Sequence, residues 1–441
     1  MITPGQSPGV STWLGDRSMK VRPEPSVSPQ DCGAGASGAV IPWNVAAAKS
    51  IAAVVPLSET ERVDLFQARG RVLCLEASAV LPSPPFDMSA MDGYGVRLQS
   101  LRGPAPWRIR IQGRIAAGDA PVSTGDGAWR VLTGARMPDE LDAVVMQEHC
   151  EVDGDHIILR ELPALGRHIR KAGEDVKIGD ILLKSGVALT SRMLGLLAGQ
   201  GSSQIDVIRK VRIGLVSTGS ELVEPGMPRA DHQIFNTNRV MLRTALDAYP
   251  WVETVDFGIV TDDRRLIATT LREAAQHCDA LITTGGVSAG DADHIAGAIF
   301  DEGGSFDLMK VAMRPGKPLK VGKLNGSLFF GLPGNPNAAL VTFRMIALPA
   351  LRRLAGLKEV DPTWQPATAD FDYDKPLGRT EFVPVSFSTA PNGQAGLVKM
   401  LGRGSTASLR SLADADGIAL LTPQTSRIKN GDTILYEPIF D

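Results

Sequence analysis

Two hydrophobic periodicities divide this chain. From residue 211 to about 356, short runs of aliphatic and β-branched residues alternate with stretches whose apolar positions recur every three or four residues. That is the pattern of strands joined by helices packed over a largely parallel sheet. Strands are predicted at 211–217, 252–260, 280–283, 319–323 and 328–331; Ile267, Leu271 and Ala274 mark one helix face, and Leu340, Phe343, Ala347 and Leu351 another. The domain expected over 211–357 is doubly wound, with ligand loops at the carboxyl ends of its strands.

Elsewhere the apolar runs are shorter and punctuated by Gly and Pro. Those at 107–111, 128–132, 143–147 and 156–159 predict a β module inserted over 80–163. Its flanks, 42–79 and 164–210, read as one mainly helical domain: Ser58-Glu-Thr-Glu61 has capping-box spacing and is expected to open a helix through Val63, Leu65 and Phe66, and a further helix is expected from Ser191 through Leu197. Runs at 381–387, 397–401, 417–421 and 433–436 predict a C-terminal β-barrel domain over 358–441. Residues 1–41 lack a periodic apolar face and are expected to form a disordered tail, with Met19 a candidate later start. The fold class is therefore multidomain α/β.

Composition narrows the functional classes. The 441 residues carry 46 Lys plus Arg against 49 Asp plus Glu, a net charge of −3, so no general basic surface suggests a nucleic-acid or membrane partner. Four dispersed cysteines form no Cys-x-x-Cys pair, which argues against a disulfide framework or structural zinc. With no run of 18 apolar residues, the expected location is the cytoplasm.

Candidate chemistry lies in loops. Ser217-Thr-Gly-Ser-Glu-Leu222, the segment from Thr283 to His294, and Gly331-Leu-Pro-Gly-Asn-Pro336 each combine Gly with hydroxyl or amide side chains, a composition that lets backbone N–H groups approach an anion. Thr218, Gly219, Ser220, Thr284, Gly285, Gly286, Ser288, Pro333, Gly334 and Asn335 are the substrate-binding candidates. Neither a Walker loop nor a dinucleotide fingerprint occurs there. Lys310, Arg314, Lys317 and Lys320 surround a rigid Pro-Gly-Lys-Pro turn suited to a phosphate or oxyanion. Glu221, Asp262, Asp263, Asp291 and Asp293 suggest Mg²⁺, although Asp262 and Asp263 equally suit a helix start. Finally, Pro82 to Val96 holds Asp87 and Asp92 among prolines and glycines, where neither helix nor alternating strand is expected.

Taken together, Ser89-Ala-Met-Asp-Gly-Tyr94, Thr133-Gly-Ala135, Gly173-Glu-Asp175, Thr283-Thr-Gly-Gly286, Arg314-Pro-Gly-Lys-Pro318 and the two loops at 217–222 and 331–336 resemble the molybdopterin molybdenumtransferase family over about 42–441. The family is MoeA in bacteria and the gephyrin E domain in animals. The resemblance implies a homodimer that takes adenylylated molybdopterin, inserts molybdate at its dithiolene and hydrolyses the adenylate with Mg²⁺, releasing AMP. It makes the doubly wound domain the molybdopterin-binding one. It implies catalytic roles for Asp92, Thr133, Asp175, Glu221, Asp262, Asp293, Lys310 and Arg314, with Glu221, Asp262 and Asp293 at the metal, and substrate contacts from Lys317, Arg379 and Ser405. Asp92 and Thr133 would face Glu221 of the partner subunit. Transient partners would be a molybdopterin adenylyltransferase and acceptor molybdoenzymes. Ser220, Arg314 and Asn236 depart from the commonest family residues, and Asn236 removes a negative charge. Two alternatives stay open: an adenylyltransferase, which shares the doubly wound domain, and a non-catalytic gephyrin-like dimeric scaffold. The choice between molybdate and tungstate is open as well.

Overall fold

The computed structural model describes residues 40–286, 294–389, 396–402 and 407–439. The predicted disordered tail lies outside the described residues except at its end. There Val40–Ile41 is a strand, parallel to Ser305–Val311, because two β-branched residues complete an open sheet edge. The chain forms two compact units. The larger contains the residues up to Glu61, Gly70–Val72 and everything from Ile208; the smaller contains Arg62–Arg69 and Leu73–Val207.

In the larger unit a seven-stranded sheet runs in the order Val40–Ile41, Ser305–Val311, Pro318–Leu324, Ser327–Leu332, Ala280–Thr284, Val211–Thr218, Val252–Val260. The last four strands are mutually parallel, as predicted for a doubly wound domain. Ser305–Val311, Pro318–Leu324 and Ser327–Leu332 instead form an antiparallel meander, so the sheet is mixed. Arg264–His277 and His294–Asp301 cover one face, where Leu271, Ile299, Leu281 and Phe329 pack together fully buried. A continuous helical run, Pro336–Thr342 and Leu348–Leu354 joined by a π-helical turn at Phe343–Ala347, is almost wholly buried.

A second sheet of the same unit closes on itself. Thr380–Ser388, Leu397–Met400, Gln365–Ala369, Thr433–Pro438 and Gly417–Leu421 pair in that order, and the last returns to the first, giving a five-stranded barrel around Val383, Val385, Val398 and Leu421. Met313–Arg314 adds to its edge as a parallel strand, with Met313 opposite Thr380 and Arg314 opposite Glu381.

The smaller unit contains the predicted β module as a six-stranded sheet: Ala143–Met146, Gly93–Val96, Ala128–Val131, Trp107–Ile115, His156–Leu159, Glu151–Asp153. Ser191–Gly199 is the expected helix, capped by the Thr190 hydroxyl. The flanks 42–79 and 164–210 are not the mainly helical domain expected: beside Trp43–Ala52 and Ser191–Gly199 they hold the strands Ala77–Ser78, Ile169–Arg170, Ile181–Leu183 and Gln204–Ile208, and the helix expected to open at the 58–61 capping box does not form. Thr60–Asp64 is a strand and Leu65–Gln67 a single 3-10 turn capped by Asp64. Val63 and Leu65, two residues apart, both pack with Leu73, Leu189 and Leu197, while Phe66 is 98% exposed. A period of two won over the local cap spacing. Among the described residues no helix is long and apolar enough to cross a membrane.

Candidate functional site

Strand register assembles the Gly-rich loops. Ser217 lies opposite Thr284, and Thr284 opposite Leu332, so the loops that follow these three strands emerge side by side. Gly285 has φ 89°, its N–H donates to the Leu332 carbonyl at 3.2 Å, and a Cβ there would lie 2.5 Å from the Thr218 carbonyl oxygen. Gly286 is also in the left-handed region. The Thr218 hydroxyl donates to the Thr284 carbonyl at 3.4 Å, and the Thr284 hydroxyl to Ser217 Oγ at 3.4 Å, so these hydroxyls stitch strand to strand. In the third loop Pro333 is buried, Gly334 and Asn335 are exposed, and Asn238 Nδ2 donates to the Gly334 carbonyl at 2.7 Å.

Two acidic candidates share this edge. Glu221 is exposed and its carboxylate folds back over Gly219, whose missing Cβ would sit 2.6 Å from Glu221 Oε2. Ser220 N donates to Asp262 Oδ2 at 2.9 Å while Asp262 N donates to Ser220 Oγ at 3.2 Å, so the loops carrying Glu221 and Asp262 are pinned to each other. The neighbouring acids divide the work that sequence left undecided. Asp263 accepts from Arg265 N at 2.8 Å and Leu266 N at 3.0 Å to cap Arg264–His277, and those bonds hold its carboxyl below the usual carboxylate range. Asp262 does not cap. Among the described residues no three His, Cys, Asp or Glu side chains gather closely enough to hold a metal by themselves. Two oxygen-only carboxylates on pinned loops nevertheless match the habits of Mg²⁺, which takes one or two carboxylates and fills its shell with water and substrate oxygens. Ser288, Asp291, Asp293 and Ser405 lie outside the described residues.

The basic run separates into different fates. Lys310 and Lys317 are exposed. Lys320 is only 1% exposed; its ammonium donates to the Gly286 carbonyl at 2.9 Å and sits 5.5 Å above the Phe306 ring, bracing the loop from behind. Arg314 Nη1 is 3.7 Å from Glu381 Oε2, and Arg379 Nε donates to Glu381 Oε1 at 3.2 Å. Two predicted anion-binding arginines, distant in sequence, thus meet on one buried carboxylate. Glu381 itself escaped the sequence reading. The only signal was its place two residues after Arg379, a spacing that puts two side chains on the same side of an extended chain.

In the smaller unit Asp92 and Thr133 meet directly. Asp92 Oδ1 accepts from Thr133 N at 2.7 Å and from its hydroxyl at 2.8 Å, and these bonds, with the Arg130 charge, hold the exposed Asp92 carboxyl below its ordinary range. Gln147 N binds the Asp92 carbonyl at 3.1 Å. Asp175 is exposed on the segment whose N–H groups, its own included, bond the Ser83 carbonyl. Asp87 is structural: Lys171 Nζ at 2.7 Å and Ala172 N at 2.9 Å bind its carboxylate and lower its pKa. Asn236, the departure that removes a charge, is 2% exposed and caps Thr237–Asp247 through Arg239 N at 3.2 Å. Its change of charge therefore falls at a helix start, where an amide oxygen caps as well as a carboxylate.

Fold and loops together define a class: a multidomain α/β enzyme whose doubly wound domain presents anion-suited loops at its strand ends, followed by a small β-barrel. The MoeA N-terminal region (domain I and II) matches residues 41–201, a probable molybdopterin binding domain matches 214–353, and the MoeA C-terminal region (domain IV) matches 366–439. The molybdopterin molybdenumtransferase of Haemophilus influenzae is 34% identical over 385 residues, covering 86% of this chain and 94% of that protein. Molybdopterin molybdenumtransferase 2 of Mycobacterium tuberculosis strain H37Rv is 36% identical over 367 residues, 81% of this chain and 89% of that protein. The crystal structure of the molybdopterin biosynthesis MoeA protein from Pyrococcus horikoshii OT3 superposes with a TM-score of 0.78 at 25% identity, over 91% of this chain and 100% of that one. The chain belongs to the MoeA family of molybdopterin molybdenumtransferases, enzymes of molybdenum cofactor biosynthesis.

Proposed function

We propose that this protein inserts molybdate into adenylylated molybdopterin and hydrolyses the adenylate with Mg²⁺, releasing AMP. The observation that carries the reading is the side-by-side emergence of the 217–222, 284–286 and 332–336 loops, with Glu221 and Asp262 pinned beside them. Both substrates are anions, and a site of backbone N–H groups, hydroxyls and exposed Lys310 and Lys317 suits them. Glu221 and Asp262, with Asp293, would hold Mg²⁺, which neutralises charge on phosphate oxygens. We read the chain as domains at 42–79 with 164–210, 80–163, 211–357 and 358–441, in a cytoplasmic homodimer. Supporting the dimer, Leu75, Val80, Leu81, Ile178 and Ile181 are exposed around the Ala77–Ser78 and Ile181–Leu183 ribbon, an apolar patch that a second copy would cover. Asp92 and Thr133 of one subunit then serve Glu221 of the partner subunit. An adenylyltransferase and acceptor molybdoenzymes remain its transient partners.

The test is AMP release from adenylylated molybdopterin. Molybdate and Mg²⁺ together should accelerate it in the wild type and not in Asp293→Asn; equal release from both proteins across metal concentrations sinks the reading. Incubation with ATP and metal-free molybdopterin checks the adenylyltransferase alternative, which requires adenylylated product without molybdate. Competition between molybdate and tungstate in the same assay sets the oxyanion preference.

A further inference from the structure

We propose that Glu381 is a positioning residue whose buried carboxylate holds Arg314 and Arg379 as a convergent pair of guanidinium donors for a tetrahedral oxyanion; this rests on the molybdate reading above. Glu381 is 1% exposed and sits on the barrel strand Thr380–Ser388, opposite Arg314 in the parallel pairing. One carboxylate oxygen takes Arg379 Nε at 3.2 Å; the other takes the Tyr373 hydroxyl at 2.9 Å and lies 3.7 Å from Arg314 Nη1. A carboxylate this deeply buried calls for charged and hydrogen-bonding partners, and these three supply them.

The two arginine side chains remain 37% and 40% exposed. Each is therefore tethered at a buried anion while part of its surface reaches solvent. Buried Lys375 adds a third positive charge nearby, its ammonium fixed by the carbonyls of Pro376, Thr422 and Thr425. Three cations around one carboxylate leave a net positive site. Glu381 offsets the mutual repulsion of the guanidinium groups and removes rotamer freedom that an incoming anion would otherwise have to freeze.

Positioning and simple charge predict opposite signs. Replacing Glu381 by Gln makes the site more positive, so through-space electrostatics alone would tighten oxyanion binding. Loss of the tether would weaken it. The experiment uses the full chain and molybdate: a thermal-shift titration for binding, circular dichroism for folding, and the AMP-release assay for KM and kcat. Glu381→Gln should raise both the molybdate Kd and KM about tenfold, the effect of losing one modest charged contact, with kcat at saturating molybdate nearly unchanged. Tyr373→Phe, which removes one anchor of the carboxylate, should raise KM about threefold in the same manner. A folded Glu381→Gln that binds molybdate as well as or better than the wild type overturns the proposal. If that variant fails to fold, an unchanged KM in Tyr373→Phe overturns it and a raised KM supports it. Wild type that binds molybdate normally beside an unaffected Glu381→Gln sinks this inference alone; wild type that neither binds molybdate nor releases AMP sinks the functional reading with it.

Discussion

Gly285 and Gly334 stand in adjacent loops, yet the structure gives them different reasons to be glycine, and alanine at each position separates backbone necessity from ligand approach. At Gly285, with φ 89°, any side chain is strained by roughly 1–2 kcal/mol. Its Cβ would also lie 2.5 Å from the Thr218 carbonyl oxygen. That oxygen cannot retreat easily, since Thr218 is paired with Val260 on one side and its neighbour Ser217 with Thr284 on the other. Relieving such an overlap by moving backbone costs about 1–3 kcal/mol. Gly285→Ala should therefore destabilise the protein by about 2–5 kcal/mol. At Gly334 the nearest heavy atom to an added Cβ is Gly285 Cα at 3.9 Å, and φ is not left-handed. Gly334→Ala should stay within about 0.5 kcal/mol of wild type. Urea unfolding followed by far-ultraviolet circular dichroism reads the difference as a midpoint lowered by about 1 M or more for Gly285→Ala alone. AMP release then tests ligand approach: Gly334→Ala should lose activity at full stability if the loop backbone closes on an anion. Equal unfolding midpoints for the two variants, or the reverse order, would refute the geometry.

Three further outcomes follow from the same structure. Because Thr133 N–H and hydroxyl bonds lower the Asp92 pKa, the contribution of Asp92 is present above the ordinary carboxylate value of about 3.9 and is lost as pH falls through its lower folded value; Thr133→Val should move its carboxyl NMR titration upward but only part of the way, and an unshifted titration contradicts this. Arg344 Nε binds Glu437 at 3.1 Å in the interior, where burial raises the Glu437 pKa, so Arg344→Met should cost about 3–5 kcal/mol near pH 8. A raised folded pKa means that the fold is favoured by the protonated Glu437 carboxyl, fully so below the unfolded value and less as pH rises through the folded one; removing Arg344 raises that pKa further and steepens the loss at high pH, so the deficit must be smaller near pH 5, and equal urea midpoint shifts at both pH values argue against it. Glu221→Gln should raise the Mg²⁺ concentration for half-maximal AMP release several-fold, whereas wild-type activity indifferent to EDTA would remove the metal from the reaction.

What could be read from sequence was what local chemistry decides. The parallel strands show as β-branched runs, and the ends of 252–260, 417–421 and 156–159 fall where the patterning puts them. The Gly-rich loops were legible because Gly at 219, 285 and 286 answers a backbone demand that the structure indeed makes. Where two local rules competed, sequence alone was insufficient. The 58–61 segment carries cap spacing and also feeds the period-two pair Val63 and Leu65, and packing against Leu73 and Leu197 chose the strand. Val40–Ile41 and Ser305–Val311 were missed because they are stabilised by each other and by Pro318–Leu324, pairings that no single stretch reveals. Which of Asp262 and Asp263 caps the helix is likewise a matter of geometry, since both follow a strand and precede the same helix.

The basic run at 310–320 shows why charge in sequence is not yet a site. Four cations within eleven residues look like one clamp, but strand alternation and burial give them three destinations. Lys320 is spent inside the protein on the Gly286 carbonyl, and what it supplies there is the rigidity of the loop it braces. Arg314 crosses from the sheet to the barrel edge, where register with Glu381 joins it to Arg379. Only Lys310 and Lys317 remain as exposed point charges. An oxyanion needs attraction, which exposed lysines supply at long range, and orientation, which requires donors already fixed before it arrives. A buried counter-charge can hold two guanidinium groups side by side, because it offsets the repulsion that would otherwise separate them. An acidic residue at the heart of a basic cluster is thus consistent with a need for orientation, which is what the Glu381 variant tests.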